Sequence, residues 1–224
     1  RKPVEQKMTT FDFGNGPVPA HKHINGGGWV ADTATVEDTT YVGPNARVFN
    51  NARVFNNAWV YDNAQVYGNA WVSDDARVSG NALVFGEARV SGNARVFNNA
   101  WVYDNAQVYG NAWVSDEARV FGNALVFNNA RITDDARVFG NALVFGEARV
   151  SGNAWVSGNA LVFNNARVSD DAWVYGYARV SDDARVSDDA RVYGNARVSG
   201  NAWVSDDARV SGEAQVSGNA EVVL

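Results

Sequence analysis

The 224-residue chain contains no cysteine, one methionine, four prolines and only two histidines. Without cysteine it has neither a disulfide framework nor thiol chemistry, so it suits reducing and oxidising compartments equally well and the localisation stays open. No run of eighteen apolar residues is present, which predicts no membrane-spanning helix, and no secretory signal is visible. The net charge of −6 argues against a general nucleic-acid binder. We therefore expect neither nucleic acid nor a membrane as a partner.

A six-residue repeat begins at Trp29 and continues to the end of the sequence. Valine recurs at every sixth position from Val30 to Val222, and the single substitution in that column is Ile132. The pattern comprises 33 units without insertion or deletion. A short fixed period is the signature of architectures in which each unit packs on its neighbours. We expect one elongated repeat domain over residues 29–224, preceded by a non-repeating segment over residues 1–28.

Each unit has an inner side, an outer side and a corner. An alanine lies two residues before the valine, as in Ala64 and Val66, and alternation in an extended chain places both on one face. The residue between them and the residue after the valine must then point outward. Next comes Gly, Asn or Asp in almost every unit, with Pro44 as the clearest exception. Because these residue types tolerate a left-handed backbone, the pattern predicts a tight corner every six residues.

Short strands separated by such corners can close into a triangle with eighteen residues per turn, and stacked turns then pair in parallel. The unit resembles the hexapeptide-repeat family, whose signature of an aliphatic residue and a small residue four places later appears here as Val66 and Ala70. The entry to the repeat around Gly28 and Trp29 is similar to that of uncharacterised phage and bacterial members. The resemblance implies an all-β fold, a single-stranded left-handed parallel β-helix. The 33 units make about eleven coils, a rod of roughly 48 Å.

The two ends of the repeat differ. We expect residues 1–28 to form a short cap over the first coil, because solenoids expose an unpaired end that must be shielded. The sequence ends on Val222, Val223 and Leu224 with no change of composition. We expect the last coil to be covered either by another chain, as in end-to-end association, or by residues 220–224 folding over it.

Residues eighteen apart lie above one another, so the outward positions form columns. One column predicts an aromatic ladder, which consists of Phe49, Tyr67, Phe85, Tyr103, Phe121 and Phe139 and resumes after Ser157 at Tyr175 and Tyr193. A second face predicts an exposed apolar patch, the Leu/Phe block, which consists of Leu125, Phe127, Leu143, Phe145, Leu161 and Phe163. Such patches usually mark interfaces, so we expect the block to bind a second copy or a protein partner. For the aromatic ladder, mutual packing of the rings is an equally good explanation.

A third face carries an arginine column that includes Arg149 and Arg167, and paired acids such as Asp170 and Asp171 occupy the next corner. Arginines about 4.8 Å apart repel unless carboxylates lie nearby, so we expect a self-neutralising surface lattice. Anion binding by the arginines and Ca²⁺ binding by the paired acids are the alternatives. The eight tryptophans also point outward, and indoles can stack on sugar rings, but their scatter over the faces argues against a continuous sugar groove.

The resemblance to acyltransferases and metal-dependent carbonic anhydrases of this family implies histidines that project from the coils. Here His21 and His23 both precede the repeat, so we expect no catalytic residue and no cofactor. As a His-x-His pair they lack an evident third ligand, so we expect no metal site either. Our first hypothesis is a non-enzymatic structural or interaction solenoid, encoded by a phage or a bacterium, that forms homo-oligomers or binds a protein partner as a virion component or a blocker of a host factor. A carbohydrate- or surface-binding module that uses outward Trp and Tyr is the alternative, and an acyltransferase relative is a remote one.

Overall fold

The structure, a computed structural model, describes residues 9–224 and shows an all-β parallel solenoid with three flat faces. Residues 1–8, the first part of the predicted cap, lie outside the described residues. Each coil contributes one strand to each face, and each strand pairs in parallel with the strand eighteen residues further on, as Arg47 pairs with Gln65. The prediction of about eleven coils of eighteen residues is confirmed. The left hand of the coil stays a prediction of the resemblance.

The strands are two or three residues long and lie on three faces. Face I contains Trp29–Ala31, Arg47–Val48, Gln65–Val66, Leu83–Val84, Trp101–Val102, Arg119–Val120, Arg137–Val138, Trp155–Val156, Trp173–Val174, Arg191–Val192 and Arg209–Val210. Face II contains Thr35–Val36, Arg53–Val54, Trp71–Val72, Arg89–Val90, Gln107–Val108, Leu125–Val126, Leu143–Val144, Leu161–Val162, Arg179–Val180, Arg197–Val198 and Gln215–Val216. Face III contains Tyr41–Val42, Trp59–Val60, Arg77–Val78, Arg95–Val96, Trp113–Val114, Arg131–Ile132, Arg149–Val150, Arg167–Val168, Arg185–Val186, Trp203–Ser205 and Glu221–Val223. No helix long and apolar enough to cross a membrane occurs in residues 9–224.

Backbone hydrogen bonds between coils hold the strands together. In a representative unit the N–H of Arg47 donates to the carbonyl of Ala64 at 3.0 Å, and the N–H of Phe49 donates to the carbonyl of Val66 at 3.1 Å. At the corner, the N–H of Asn51 donates to the carbonyl of Gly68 at 2.9 Å. This unit therefore makes three hydrogen bonds to the next coil, whereas others, such as that of Trp71 and Ser73, make only the two strand bonds. A unit on its own could make none of them.

The inner columns form one continuous core along the rod. Every alanine and aliphatic residue of the two inner columns from Val42 to Ala208 is fully buried, including Ile132. Burial of one valine side chain contributes about 2 kcal/mol, whereas ordering the backbone costs roughly 1–2 kcal/mol for each of the six residues of a unit. A single unit is therefore unstable, and only stacking offsets the entropy of ordering.

The corners adopt the predicted left-handed conformation. Asn98 has φ of 59°, Asp116 has φ of 61° and Gly140 has φ of 71°. A carbonyl clash makes this conformation costly for most L-residues, and Asn, Asp and Gly pay the least. The hexad pattern thus depends as much on its corner residues as on its valines.

A β-hairpin precedes the first coil. Its strands β1 (Thr10–Asp12) and β2 (Pro17–Lys22) are antiparallel, and β2 continues antiparallel onto β3 (Trp29–Ala31) at the start of face I. Two further backbone bonds tie the connection to face III, since the N–H of Gly28 donates to the carbonyl of Val42 and the N–H of Val42 donates to the carbonyl of Asn25. The predicted cap is therefore a strand addition to two faces of the first coil.

We predict that Gly140→Val destabilises the rod, because valine resists a φ of 71° and the added Cβ would lie 3.0 Å from the backbone nitrogen of Gly158. The expected loss in the free energy of unfolding is about 1–2 kcal/mol, measured by chemical denaturation. Gly140→Asn is the matched control, since Asn98 adopts the same corner conformation. Equal stability of the two variants would contradict this account.

Candidate functional site

The predicted aromatic ladder is continuous on face I. Successive rings of the six residues from Phe49 to Phe139 have centroids 4.8–4.9 Å apart and planes within 7° of parallel. The ladder stops at Ser157 and continues as the stacked pair Tyr175 and Tyr193, 5.0 Å apart. Because the rings stack along the rod, they cover each other's faces and present only their edges to solvent.

The hairpin extends this ladder, which sequence reasoning missed. Phe13 stacks on Phe49 with a centroid distance of 4.8 Å, and Phe11 stacks on Trp29 at 4.4 Å. The guanidinium of Arg47 lies 5.4 Å from the Phe11 ring. The only signal was the Phe-Asp-Phe alternation, which places both rings on one side of a strand.

The Leu/Phe block lies on face II as predicted, but its six side chains are half-buried rather than exposed. The rings of Phe127, Phe145 and Phe163 stack with centroids 4.9 and 5.1 Å apart, which explains the reduced exposure. Tyr109 adds a fourth ring, 4.9 Å from Phe127. Its position eighteen residues before Phe127 was the available signal. The block is thus an apolar stripe of ring edges and leucine side chains.

Eight arginines lie over tryptophan rings, and no arginine of residues 9–224 lies within 4.0 Å of a carboxylate oxygen. On face III the guanidinium carbons of Arg95 and Arg131 lie 5.2 and 4.8 Å from the Trp113 ring centroid, one on each neighbouring coil. Within residues 9–224 the one ion pair shorter than 4.0 Å joins His21 and Asp32. The expected self-neutralising lattice therefore contains no direct Arg–Asp pair in the described residues, and neutralisation over longer distances stays a prediction.

Corner side chains explain the difference, because they bond along the corners and not across the faces. The N–H of Gly200 donates to Asp182 Oδ2 at 3.2 Å, and the amide of Asn164 donates to Asp182 Oδ1 at 3.0 Å. These hydrogen bonds hold the pKa of Asp182 below its ordinary 3.8. Burial alone would raise the pKa of Asp116, but hydrogen bonds from Ser115 and Asn98 outweigh it and lower that pKa as well. Asp116 and Asp182 are thus engaged as acceptors of hydrogen bonds from their own and neighbouring coils.

Asparagines form a second set of corner ladders. The side-chain amide of Asn81 donates to Asn99 Oδ1 at 3.0 Å, and that of Asn123 donates to Asn141 Oδ1 at 3.1 Å. These ladders were not predicted, although Asn recurs there at intervals of eighteen. Amide-to-amide ladders of this kind, here on the surface, add to the stability of stacked, in-register strands.

The two histidines have separate partners. His21 Nδ1 lies 2.8 Å from Asp32 Oδ1 on the surface, whereas His23 is buried with Nε2 3.1 Å from the carbonyl oxygen of Thr40. Three His, Cys, Asp or Glu side chains suitably placed to hold a metal ion do not occur together in the described part of the chain. The structure therefore places both histidines in contacts that join the hairpin to the first coils.

The tryptophans are scattered over all three faces. Trp155 and Trp173, the one neighbouring pair, stack on each other at 4.8 Å with planes 5° apart, so the indole faces between them are covered. Arg137 and Arg191 lie over this pair at 5.1 and 5.2 Å from the respective rings. A sugar that stacks on an aromatic face would have to displace these arginines.

These faces define the class of the molecule: it is a parallel β-solenoid repeat protein. The model of the YdcK beta solenoid repeat family matches residues 46–63, 64–78, 88–104, 178–192 and 190–206. The matched segments all lie in the coils and cover less than half of the chain, and over them the chain is similar to that family. No curated protein matches the chain.

We predict that the stacked tyrosines make the rod sensitive to alkali. Burial raises the pKa values of Tyr67 and Tyr103 above 10.0, so the folded state keeps the phenol protons to a higher pH than the unfolded state. Stability from these groups is therefore complete below pH 10.0 and is lost as the pH rises beyond it. The double variant Tyr67→Phe, Tyr103→Phe should lose less stability above that pH. Thermal unfolding monitored by circular dichroism measures the effect, with exposed Tyr177→Phe as the control.

Parallel pH curves for the double variant and the native chain would show that the tyrosines are not responsible. Phe already occupies alternate rungs of the ladder at Phe85 and Phe121, so the substitutions preserve the stack.

We predict the opposite pH dependence for the corner acids. Because the pKa values of Asp116 and Asp182 are lowered on folding, their contribution to stability is complete above 3.8 and is lost as the pH falls below it. Replacing both by Asn keeps the left-handed corner and should flatten the decline of the melting temperature between about pH 5 and pH 2. A high-salt control screens general charge repulsion, and an unchanged slope would disprove the assignment.

Proposed function

We propose that this solenoid is a non-enzymatic interaction scaffold whose face II associates with a second copy of the chain or with another protein. The observation that carries the proposal is the Leu/Phe block, continued by Tyr109, in which seven apolar side chains form one stripe on a flat face. Apolar stripes of this kind usually mark interfaces. The parallel strands hold the stripe rigid, so little side-chain entropy is lost when a partner docks.

The size of the block sets the extent of the interface. Its three rungs span about 10 Å of the rod, whereas a stable interface buries about 800 Å² on each partner. A partner must therefore also contact the polar rungs on either side, at Gln107 and Arg179. This arrangement, an apolar centre with a polar rim, is the usual anatomy of a protein–protein interface.

A non-enzymatic role is supported by the engagement of the ionisable groups. His21 bonds Asp32 and His23 bonds Thr40, while the corner acids accept hydrogen bonds from neighbouring coils. A general base needs a free, suitably placed group within reach of a substrate proton. The acyltransferase alternative also requires histidines on the coils, and the repeat has none.

The carbohydrate-binding alternative has weaker support than protein binding. Most tryptophan rings on the faces stack on another ring or lie under arginines, as at Trp113 and Trp155. Trp203, with neither contact, is exposed. Sugar recognition by stacking uses an open ring face, whereas protein interfaces can use ring edges and leucines.

For the biological setting we propose a phage- or bacterium-encoded rod that is either a virion component or a blocker of a host factor. A rigid rod with a generic charged surface suits both roles. The genomic neighbourhood of the gene distinguishes them, because a position among structural genes favours the first and a position among anti-defence genes favours the second.

We predict that Leu143→Asp with Phe145→Asp abolishes self-association through face II. Light scattering after size exclusion should give a mass above 24.2 kDa for the native chain at high concentration and 24.2 kDa for the variant. Desolvating two carboxylates in an apolar interface is unfavourable, while both side chains point outward and the core is untouched.

The matched control replaces Arg197 and Ser199, which occupy the same two positions on face II three coils away, by Asp. It should associate like the native chain. A native chain that stays at 24.2 kDa at every concentration, or a block variant that associates unchanged, would disprove self-association by this face.

A further inference from the structure

Two rungs of the aromatic columns lack a ring where both neighbouring rungs have one. On face III, Ser79 lies between Tyr61 and Phe97, which pair with it in successive coils. Consecutive rings in the unbroken ladder are 4.8–4.9 Å apart. Tyr61 and Phe97 are two rungs apart, or about 10 Å. A serine in place of an aromatic residue therefore leaves a slot with the thickness of one planar ring. Tyr61 and Phe97 each meet a tryptophan ring in a T-shaped contact, and no ring of the described residues stacks face to face on either.

The structure contains a cavity at this position. Its volume is about 280 Å³, and its lining consists of Tyr61, Arg77, Ser79, Arg95, Phe97 and Trp113.

Ser79 forms the floor of the cavity and is only 8% exposed. Its hydroxyl has no hydrogen-bond partner in residues 9–224, whereas the Ser115 hydroxyl two coils further on donates to Asp116 at 2.9 Å. Since no fully buried side-chain oxygen of the described residues lacks a partner, the Ser79 hydroxyl must open into the cavity. It is a polar group available to a ligand.

Two arginines give the mouth of the slot a positive charge. The guanidinium of Arg77 lies 5.6 Å from the Trp59 ring and that of Arg95 lies 5.2 Å from the Trp113 ring. Neither forms an ion pair with a carboxylate in the part of the chain that the structure describes. Planar guanidinium groups bind carboxylates and phosphates through paired hydrogen bonds. The indoles hold them in place without neutralising them.

We propose that the slot between Tyr61 and Phe97 is a binding site for a small planar aromatic anion. The ring of the ligand occupies the empty rung and stacks on both walls, the Ser79 hydroxyl bonds the ring edge or a substituent on it, and Arg77 and Arg95 bind the anionic group. The overall charge of −6 repels polyanions, which favours a small ligand over a nucleic acid. This site lies on a different face from the Leu/Phe block and does not depend on it.

The gap at Ser157 on face I provides a natural comparison. It lies between Phe139 and Tyr175 in the same way, but Trp155 and Trp173 beside it stack on each other. Arg137 lies over this pair from the Phe139 coil and Arg191 from the coil beyond Tyr175. The Ser157 coil itself carries tryptophan where the Ser79 coil carries Arg77. A bare ring fits either gap, whereas an aromatic anion should prefer the slot over Ser79.

Phenyl phosphate is the probe, with binding measured by calorimetry and by ligand-observed NMR. We expect phenol and inorganic phosphate to bind at least about tenfold more weakly than phenyl phosphate. Phenol lacks the anionic group that the arginines would bind, and inorganic phosphate lacks the ring that would stack in the slot. The variant Ser79→Tyr fills the slot with a ring, as in the unbroken ladder, and should abolish binding while keeping the native circular dichroism spectrum. The matched control Ser157→Tyr fills the other gap and should leave the affinity for phenyl phosphate unchanged.

A second variant tests the charge. The double variant Arg77→Gln, Arg95→Gln should lower the affinity for phenyl phosphate at least about tenfold and leave the weak binding of phenol unchanged. Equal affinity of the native chain and Ser79→Tyr for phenyl phosphate, or equal affinity of the native chain for phenyl phosphate and inorganic phosphate, would overturn the proposal. Neither outcome bears on self-association through face II.

Discussion

The hydrogen bonds between coils are the interaction on which every other feature depends. Each unit donates from two strand N–H groups, and many also from a corner N–H group, to carbonyls seventeen residues further on, as Arg47, Phe49 and Asn51 do. This offset holds only while the chain turns through three equal sides without insertion or deletion. The alanine and valine columns supply the apolar core, but their small, uniform side chains could pack in other registers. Regular hydrogen bonding, with corners that reach the left-handed conformation, selects one register.

A fixed register has consequences for the surface. Equivalent outward residues of successive coils lie about 4.8 Å apart. A residue type that recurs at intervals of eighteen residues therefore forms a ladder along the rod. Aromatic rings at that spacing stack, as between Tyr67 and Phe85, and asparagine amides bond each other, as between Asn81 and Asn99. Where a column changes residue type the lattice leaves a defined space, as above Ser79. Grooves and stripes on the surface of such a rod therefore arise from interruptions in the columns as well as from the columns themselves.

The distribution of charge follows from the same geometry. Corner acids accept hydrogen bonds along the corner, as Asp182 does from Gly200, and this leaves the arginines of the flat faces without carboxylate neighbours. The arginines lie instead over indoles such as Trp113. Arginines on the flat faces thus lie apart from the paired acids, which are concentrated at the corner between faces III and I of a net acidic rod. That arrangement is compatible with recognition of a protein face or a small anion and unfavourable for a long polyanion.

The sequence alone determined the coil, because a six-residue period with Ala and Val inside and Gly, Asn or Asp at the corner leaves few ways to bury the apolar face. It also placed the aromatic ladder and the Leu/Phe block, since columns follow from counting in eighteens. Only the tertiary structure decided which side chains are in contact around those columns. Phe11 and Phe13 of the hairpin stack on Trp29 and Phe49, and many arginines contact aromatic rings and not acids. Such contacts depend on side-chain direction and on competition for partners. A residue's period specifies its column, but the conformations of all its neighbours decide its contacts.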